Sequence, residues 1–108
     1  MTFHTQLLAG RWQTFSLAAQ LGNIGSEIER GLRALTRHNA TEQNLALDRA
    51  LELFDATISD PRWNQRTREL TRAREVVCDY FYGGNRYQSS PEWLSAYFLA
   101  FAIKAKTS

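Results

Sequence analysis

Leucine and isoleucine recur at Leu17, Leu21, Ile24, Ile28, Leu32 and Leu35, in steps of 4, 3, 4, 4 and 3. Such steps keep side chains on one face of a helix, so the spacing predicts an amphipathic helix from about Arg11 or Ser16 to Arg37. His38-Asn39-Ala40-Thr41-Glu42 breaks the pattern, and Asn39 with Glu42 three residues on has capping-box spacing for a second helix. That helix carries Leu47, Leu51, Phe54 and Ile58, and it ends at Asp60-Pro61 because proline disfavours helical geometry in the residue before it. Pro61 also suits the first turn of a third helix capped by Asp60. Its seam is Trp63, Leu70, Ala73, Val77 and Phe81, with Val76 and Tyr80 beside it, and Gly83-Gly84 stops it. After the loop Asn85-Arg86-Tyr87-Gln88, Ser89-Ser90-Pro91-Glu92 supplies an N-cap serine, a first-turn proline and an early acid for a fourth helix reaching about Lys104. No stretch has the apolar–polar alternation of a strand. Four helices with short connections predict an all-α, up-down-up-down bundle, a single domain over residues 1–108 with its core at about 11–104.

The fourth helix departs from this amphipathic scheme. From Trp93 to Ile103 there is no charge in eleven residues; Trp93, Leu94, Tyr97, Phe98 and Phe101 fill one arc, while Leu99 and Ile103 project from the other side. A helix that is apolar all round is covered on every side. Eleven residues are too short to span a bilayer and a 108-residue chain is too small to wrap a helix completely, so the expectation is a homo-oligomer. The first helix carries a second stripe, Ala18, Gly22, Gly25 and Ser26. Glycine inside a helix costs roughly 1 kcal/mol against alanine, so Gly22 and Gly25 mark either close approach of another backbone or a local kink. The interface candidates are therefore Gly22, Gly25, Trp93, Tyr97, Leu99 and Ile103.

Composition narrows the class without naming an activity. A 44% hydrophobic and 22% charged content is that of a globular protein rather than a disordered or fibrous one. The single Cys78 excludes an internal disulfide and reads as a small core residue. Met1 to Gly10 contains no basic region followed by a long apolar run and cleavage site, so a cytoplasmic protein is expected. Net charge is only +2, yet all but two of the thirteen basic residues are arginines.

The segments Gln20-Leu21-Gly22-Asn23-Ile24-Gly25-Ser26-Glu27-Ile28-Glu29-Arg30, Arg49-Ala50-Leu51-Glu52-Leu53 and Arg72-Ala73-Arg74-Glu75 resemble a family of small uncharacterised prokaryotic four-helix-bundle proteins, from Trp12 to Phe101. More loosely, the Gln-Leu…Asn-Ile-x-x-Glu pattern resembles proteins encoded in 23S rRNA intervening sequences and the accessory variability determinants of diversity-generating retroelements. Where those proteins commonly carry Ala-Glu-Gly after Asn-Ile, this chain has Gly25-Ser26-Glu27. The looser resemblance implies ring-shaped pentamers and, for the retroelement proteins, nucleic-acid binding through a basic surface.

The candidate chemistry is sparse. Arg62, Arg66, Arg68, Arg72 and Arg74 crowd the third helix, and partners one turn apart form rows that can neutralise RNA or DNA phosphates. The same arginines can instead pair with Glu52, Asp55, Glu69, Glu75 and Asp79. Arg33 and His38 have the arginine-to-histidine spacing of HEPN-domain ribonucleases, in which arginine steadies phosphate charge and histidine moves a proton. The polar residue that usually follows that arginine is Ala34 here, and His38 falls at a helix end, where it suits the terminal carbonyls. Two distant histidines and one cysteine give no zinc spacing, and no glutamate is followed three residues later by histidine as in di-iron bundles. Gln20 and Asn23 suit bonds across helices. The sequence thus predicts a non-catalytic, self-associating interaction or scaffold protein without metal or cofactor, with no membrane partner and no small-molecule substrate identified. The alternatives are a nucleic-acid-binding accessory protein and a metal-independent ribonuclease.

Overall fold

The computed structural model describes residues 10–107; His4 and most of the segment read for a targeting signal lie outside them. The described chain is all-helical, with four helices packed together: α1 (Leu17–Thr36), α2 (Ala40–Ile58), α3 (Thr67–Tyr82) and α4 (Pro91–Thr107). Short 3-10 turns, Trp12–Thr14 and Pro61–Arg66, precede α1 and α3.

Local chemistry sets most of the boundaries. Ser16 is extended and its hydroxyl accepts the Ala19 amide at 3.1 Å, which starts α1. The stop is a Schellman arrangement: the His38 amide donates to the Leu35 carbonyl and the Asn39 amide to that of Ala34, with His38 left-handed at φ 57°. Asn39 then turns at once to capping α2, its Oδ1 accepting the Glu42 amide at 3.1 Å. Ser90, rather than Ser89, caps α4 by accepting the Trp93 amide at 3.0 Å.

The third helix does not begin at Pro61 as the pattern predicts. Trp63 leaves helical geometry at φ −110° and ψ 20° within the 3-10 segment, and Arg66, at φ −110° and ψ 9°, separates that segment from α3. The kink at Trp63 is tied to α1: the Trp63 indole donates to Gln20 Oε1 at 3.0 Å. Gln20 is fully buried, and its amide nitrogen donates to the Trp12 carbonyl at 2.8 Å. The Trp12 indole in turn donates to Thr57 Oγ1 at 3.0 Å. A buried amide is costly unless its hydrogen bonds are made, so this chain of bonds pins the segment before α1 and the α2–α3 link to the core. Asn23, by contrast, bonds within its own helix, to the Ala19 carbonyl.

The core draws Leu21, Ile24 and Ile28 from α1, Leu47 and Phe54 from α2, Leu70 and Val77 from α3, and Leu94 and Phe98 from α4. The Phe54 and Phe98 rings meet edge-on at 5.8 Å, a favoured aromatic geometry. Helix α1 is the centre of the packing, closely backed by α2 on one side and α4 on the other, while α3 leans on α2. Leu35 keeps the direction of the seam but lies in the last turn of α1 and is exposed, whereas Gly31 is buried. At Gly31 a Cβ would sit 3.3 Å from Leu47 Cδ2, so it is here, rather than at Gly22, that α2 comes close to a glycine of α1.

Candidate functional site

Helix α4 divides into strips of different character. Leu94, Phe98 and Phe101 are buried, whereas Trp93 is 45%, Leu99 64% and Ile103 54% exposed. The described chain therefore leaves one side of this helix uncovered, as expected of a chain too small to wrap it. Two hollows flank this helix.

The hollow between α1 and α4, about 370 Å³, is lined by Gly22, Gly25, Ser26, Ser95, Leu99 and Ala102 among others. No backbone of another element lies against the glycines: a Cβ at Gly22 would meet nothing within 4 Å, and one at Gly25 would meet only Phe98 Cβ at 3.7 Å. The carboxylate in this hollow, Glu29, accepts a hydrogen bond from the Ser95 hydroxyl.

The cleft on the other flank, about 430 Å³, is lined by Arg68, Glu69 and Arg72 of α3 and Tyr97, Ala100, Phe101 and Lys104 of α4. Trp93 stacks on Tyr97 at 4.9 Å between centroids and 11° between planes, extending the aromatic wall beyond the cleft. Burial pushes the Tyr97 hydroxyl's pKa up, opposed by the nearby Arg72 guanidinium. Arg72 also lies 5.6 Å from the centre of the Tyr87 ring. That tyrosine sits on a loop organised by Asp79, whose carboxylate accepts the Arg86 and Tyr87 amides at 2.8 and 3.0 Å. Gly83 packs tightly beside it, a Cβ there coming within 3.1 Å of the Asp79 carbonyl oxygen.

The arginines of the predicted cluster thus part company. Arg62 lies on the 3-10 turn, bonded to the buried Asp60 carboxylate at 2.7 Å, to the Phe15 carbonyl at 2.9 Å and stacked over Trp63 at 4.4 Å. This hydrogen-bonded pairing holds the Asp60 carboxyl below its ordinary pKa, against the opposing effect of burial. Arg74 pairs with Asp55 at 2.9 Å and approaches the Cys78 sulfur at 3.8 Å. Arg66 lies 3.7 Å from Glu69. Only Arg68 and Arg72 of the five line the α3–α4 cleft.

Cys78 is partly exposed rather than a core residue, because the inward positions on its turn belong to Val76 and Val77; partial burial still pushes its thiol pKa up. Arg33 lines a shallow hollow with Thr36, Glu92 and Ser95 that does not include His38, and His38 is occupied in the left-handed stop of α1. Among the described residues no group of His, Cys, Asp or Glu is placed to hold a metal, and no helix is long and apolar enough to cross a membrane. The loop role of Asp79 and the helix contact at Gly31 escaped the sequence reading; the second had a signal, since Gly31 follows Ile28 by three residues on the apolar seam. Comparison with protein-family models, curated proteins and solved structures finds no match to this chain.

Proposed function

We propose that this chain is a non-catalytic interaction or scaffold protein, an up-down-up-down bundle that self-associates through the α1-facing and outward strips of α4. The observation that carries this reading is the exposure of Leu99 and Ile103, 64% and 54%, on a charge-free stretch beside the Gly22–Gly25 hollow. Neighbouring large apolar groups left in water favour burial against a partner, at about 25 cal/mol for each Å² covered. The glycines would let a second copy's helix come close without meeting side chains. Sedimentation equilibrium at micromolar concentration is expected to give a multiple of 12.4 kDa. Leu99→Glu is expected to return the protein to monomers with its helix content intact. A wild-type mass of one chain excludes the reading.

Nucleic-acid binding is a second reading, favoured by Arg68, Arg72 and Lys104 on one cleft. Binding of labelled duplex DNA or structured RNA would then weaken linearly in log salt, with a slope near −0.9 for each duplex phosphate neutralised. Replacing Arg68 and Arg72 would flatten that slope, whereas Arg62 and Arg74, engaged with Asp60 and Asp55, would contribute little.

A further inference from the structure

The α3–α4 cleft has a composition that self-association does not require. It is an open groove of about 430 Å³, room for a small organic ligand. One wall is cationic: Arg68 and Arg72 stand one helical turn apart on α3, and no carboxylate among the described residues lies within ion-pair distance of either. Glu69, the acid lining the cleft, lies 3.8 Å from the Lys104 ammonium and 3.7 Å from Arg66. The other wall is aromatic: the partly buried Tyr97, with the largely buried Phe101 at 6.2 Å between ring centres.

The parts are also held in place. Arg72 rests near the Tyr87 ring, and Tyr87 is tied twice, by its amide to Asp79 and by its hydroxyl to Glu75 at 3.3 Å. Preorganised groups lose less freedom on binding, which raises affinity for a given set of contacts. Guanidinium groups match phosphate oxygens in pairs, and ring faces stack on planar heterocycles.

We propose that the cleft between α3 and α4 binds a small phosphorylated compound bearing a planar ring, of the nucleoside monophosphate class, with the phosphate on Arg68 and Arg72 and the ring against Tyr97. A nucleic-acid strand is the poorer occupant. A strand needs a cationic track that follows its backbone, and here Arg62 and Arg74, before and after the cleft arginines in the chain, are engaged with Asp60 and Asp55.

Isothermal titration calorimetry of the intact protein with adenosine 5′-monophosphate tests this. The expected result is saturable binding, with adenosine alone and inorganic phosphate each at least about tenfold weaker, since each lacks one wall's partner. Arg68→Gln with Arg72→Gln should weaken the monophosphate at least about tenfold while melting temperature and sedimentation stay as in the wild type. Leu99→Glu should bind as the wild type does, so a failure of self-association leaves this result standing. The proposal is overturned by no saturation up to about 10 mM, by undiminished binding in the double variant, or by single-stranded oligonucleotides that bind more tightly than the monophosphate and gain affinity with length; the last result would assign the cleft to nucleic acid.

Discussion

The two flanks of α4 are built on one helix, yet they differ in nearly every physical respect. Toward α1 the lining is small and nearly uncharged, with Gly22, Gly25 and Ala102 leaving backbone close to the surface and Leu99 standing in water. Toward α3 the lining is long and charged, with Arg68, Arg72 and Lys104 around Tyr97 and Phe101. The first flank offers area without direction, which suits another protein surface. The second offers charge at fixed positions, which suits an anion. The difference comes from the partner helix: α1 presents its glycine stripe, α3 its arginines, and α4 contributes apolar side chains to both.

The largest expected effect comes from the strip shared by both flanks. Phe98 is buried, meets Phe54, and lines the α1-facing hollow with its Cβ against Gly25. Phe98→Ala should lower stability by about 3–5 kcal/mol, through lost burial and a residual cavity. Leu99→Glu, one residue along, should change monomer stability by no more than about 0.5 kcal/mol, because its side chain is already solvated. Urea unfolding of the two variants measures the contrast. Equal losses would mean that Leu99 supports the fold rather than an interface.

Asp79→Ala sharpens the comparison from the charged side. Two backbone amides, of Arg86 and Tyr87, lose their acceptor, and the loop that holds Tyr87 near Arg72 is released. A loss of about 1–3 kcal/mol is expected from those unmade bonds. The oligomer mass from sedimentation should stay the same, because the α1-facing flank does not touch this loop. A change in mass would show that the two flanks are not independent.

How far these features could be read from the chain depended on how local their causes are. Ser16, Asn39, Asp60 and Ser90 all act as caps, since a cap needs only a short polar side chain and the next few amides. The kink ahead of α3 could not be read, because the Trp63 indole there bonds to Gln20, 43 residues earlier. The arginine cluster looked uniform for the same reason: Arg62 finds Phe15 and Arg74 finds Asp55 only after folding. On α4 the difficulty was a lack of contrast. With no charged residue to mark the outside, periodicity grouped Trp93 with Phe98, although the fold leaves the first half-exposed and buries the second. The expectation of four packed helices survives these errors because each apolar seam, taken alone, needs cover.

The smallest effect separates an open hollow from a covered one. Nothing within 4 Å would meet a Cβ at Gly22, so Gly22→Ala removes the entropic cost of glycine in a helix without a clash inside the chain. Thermal or urea unfolding at low protein concentration should show a gain of up to about 1 kcal/mol. If a second copy rests on this stripe, the added methyl groups hold the two helices apart, and the association constant should fall while the monomer gains stability. Opposite signs in the two measurements would place the partner on the glycines. A gain in stability with unchanged association would move the interface outward, to Leu99 and Ile103 alone.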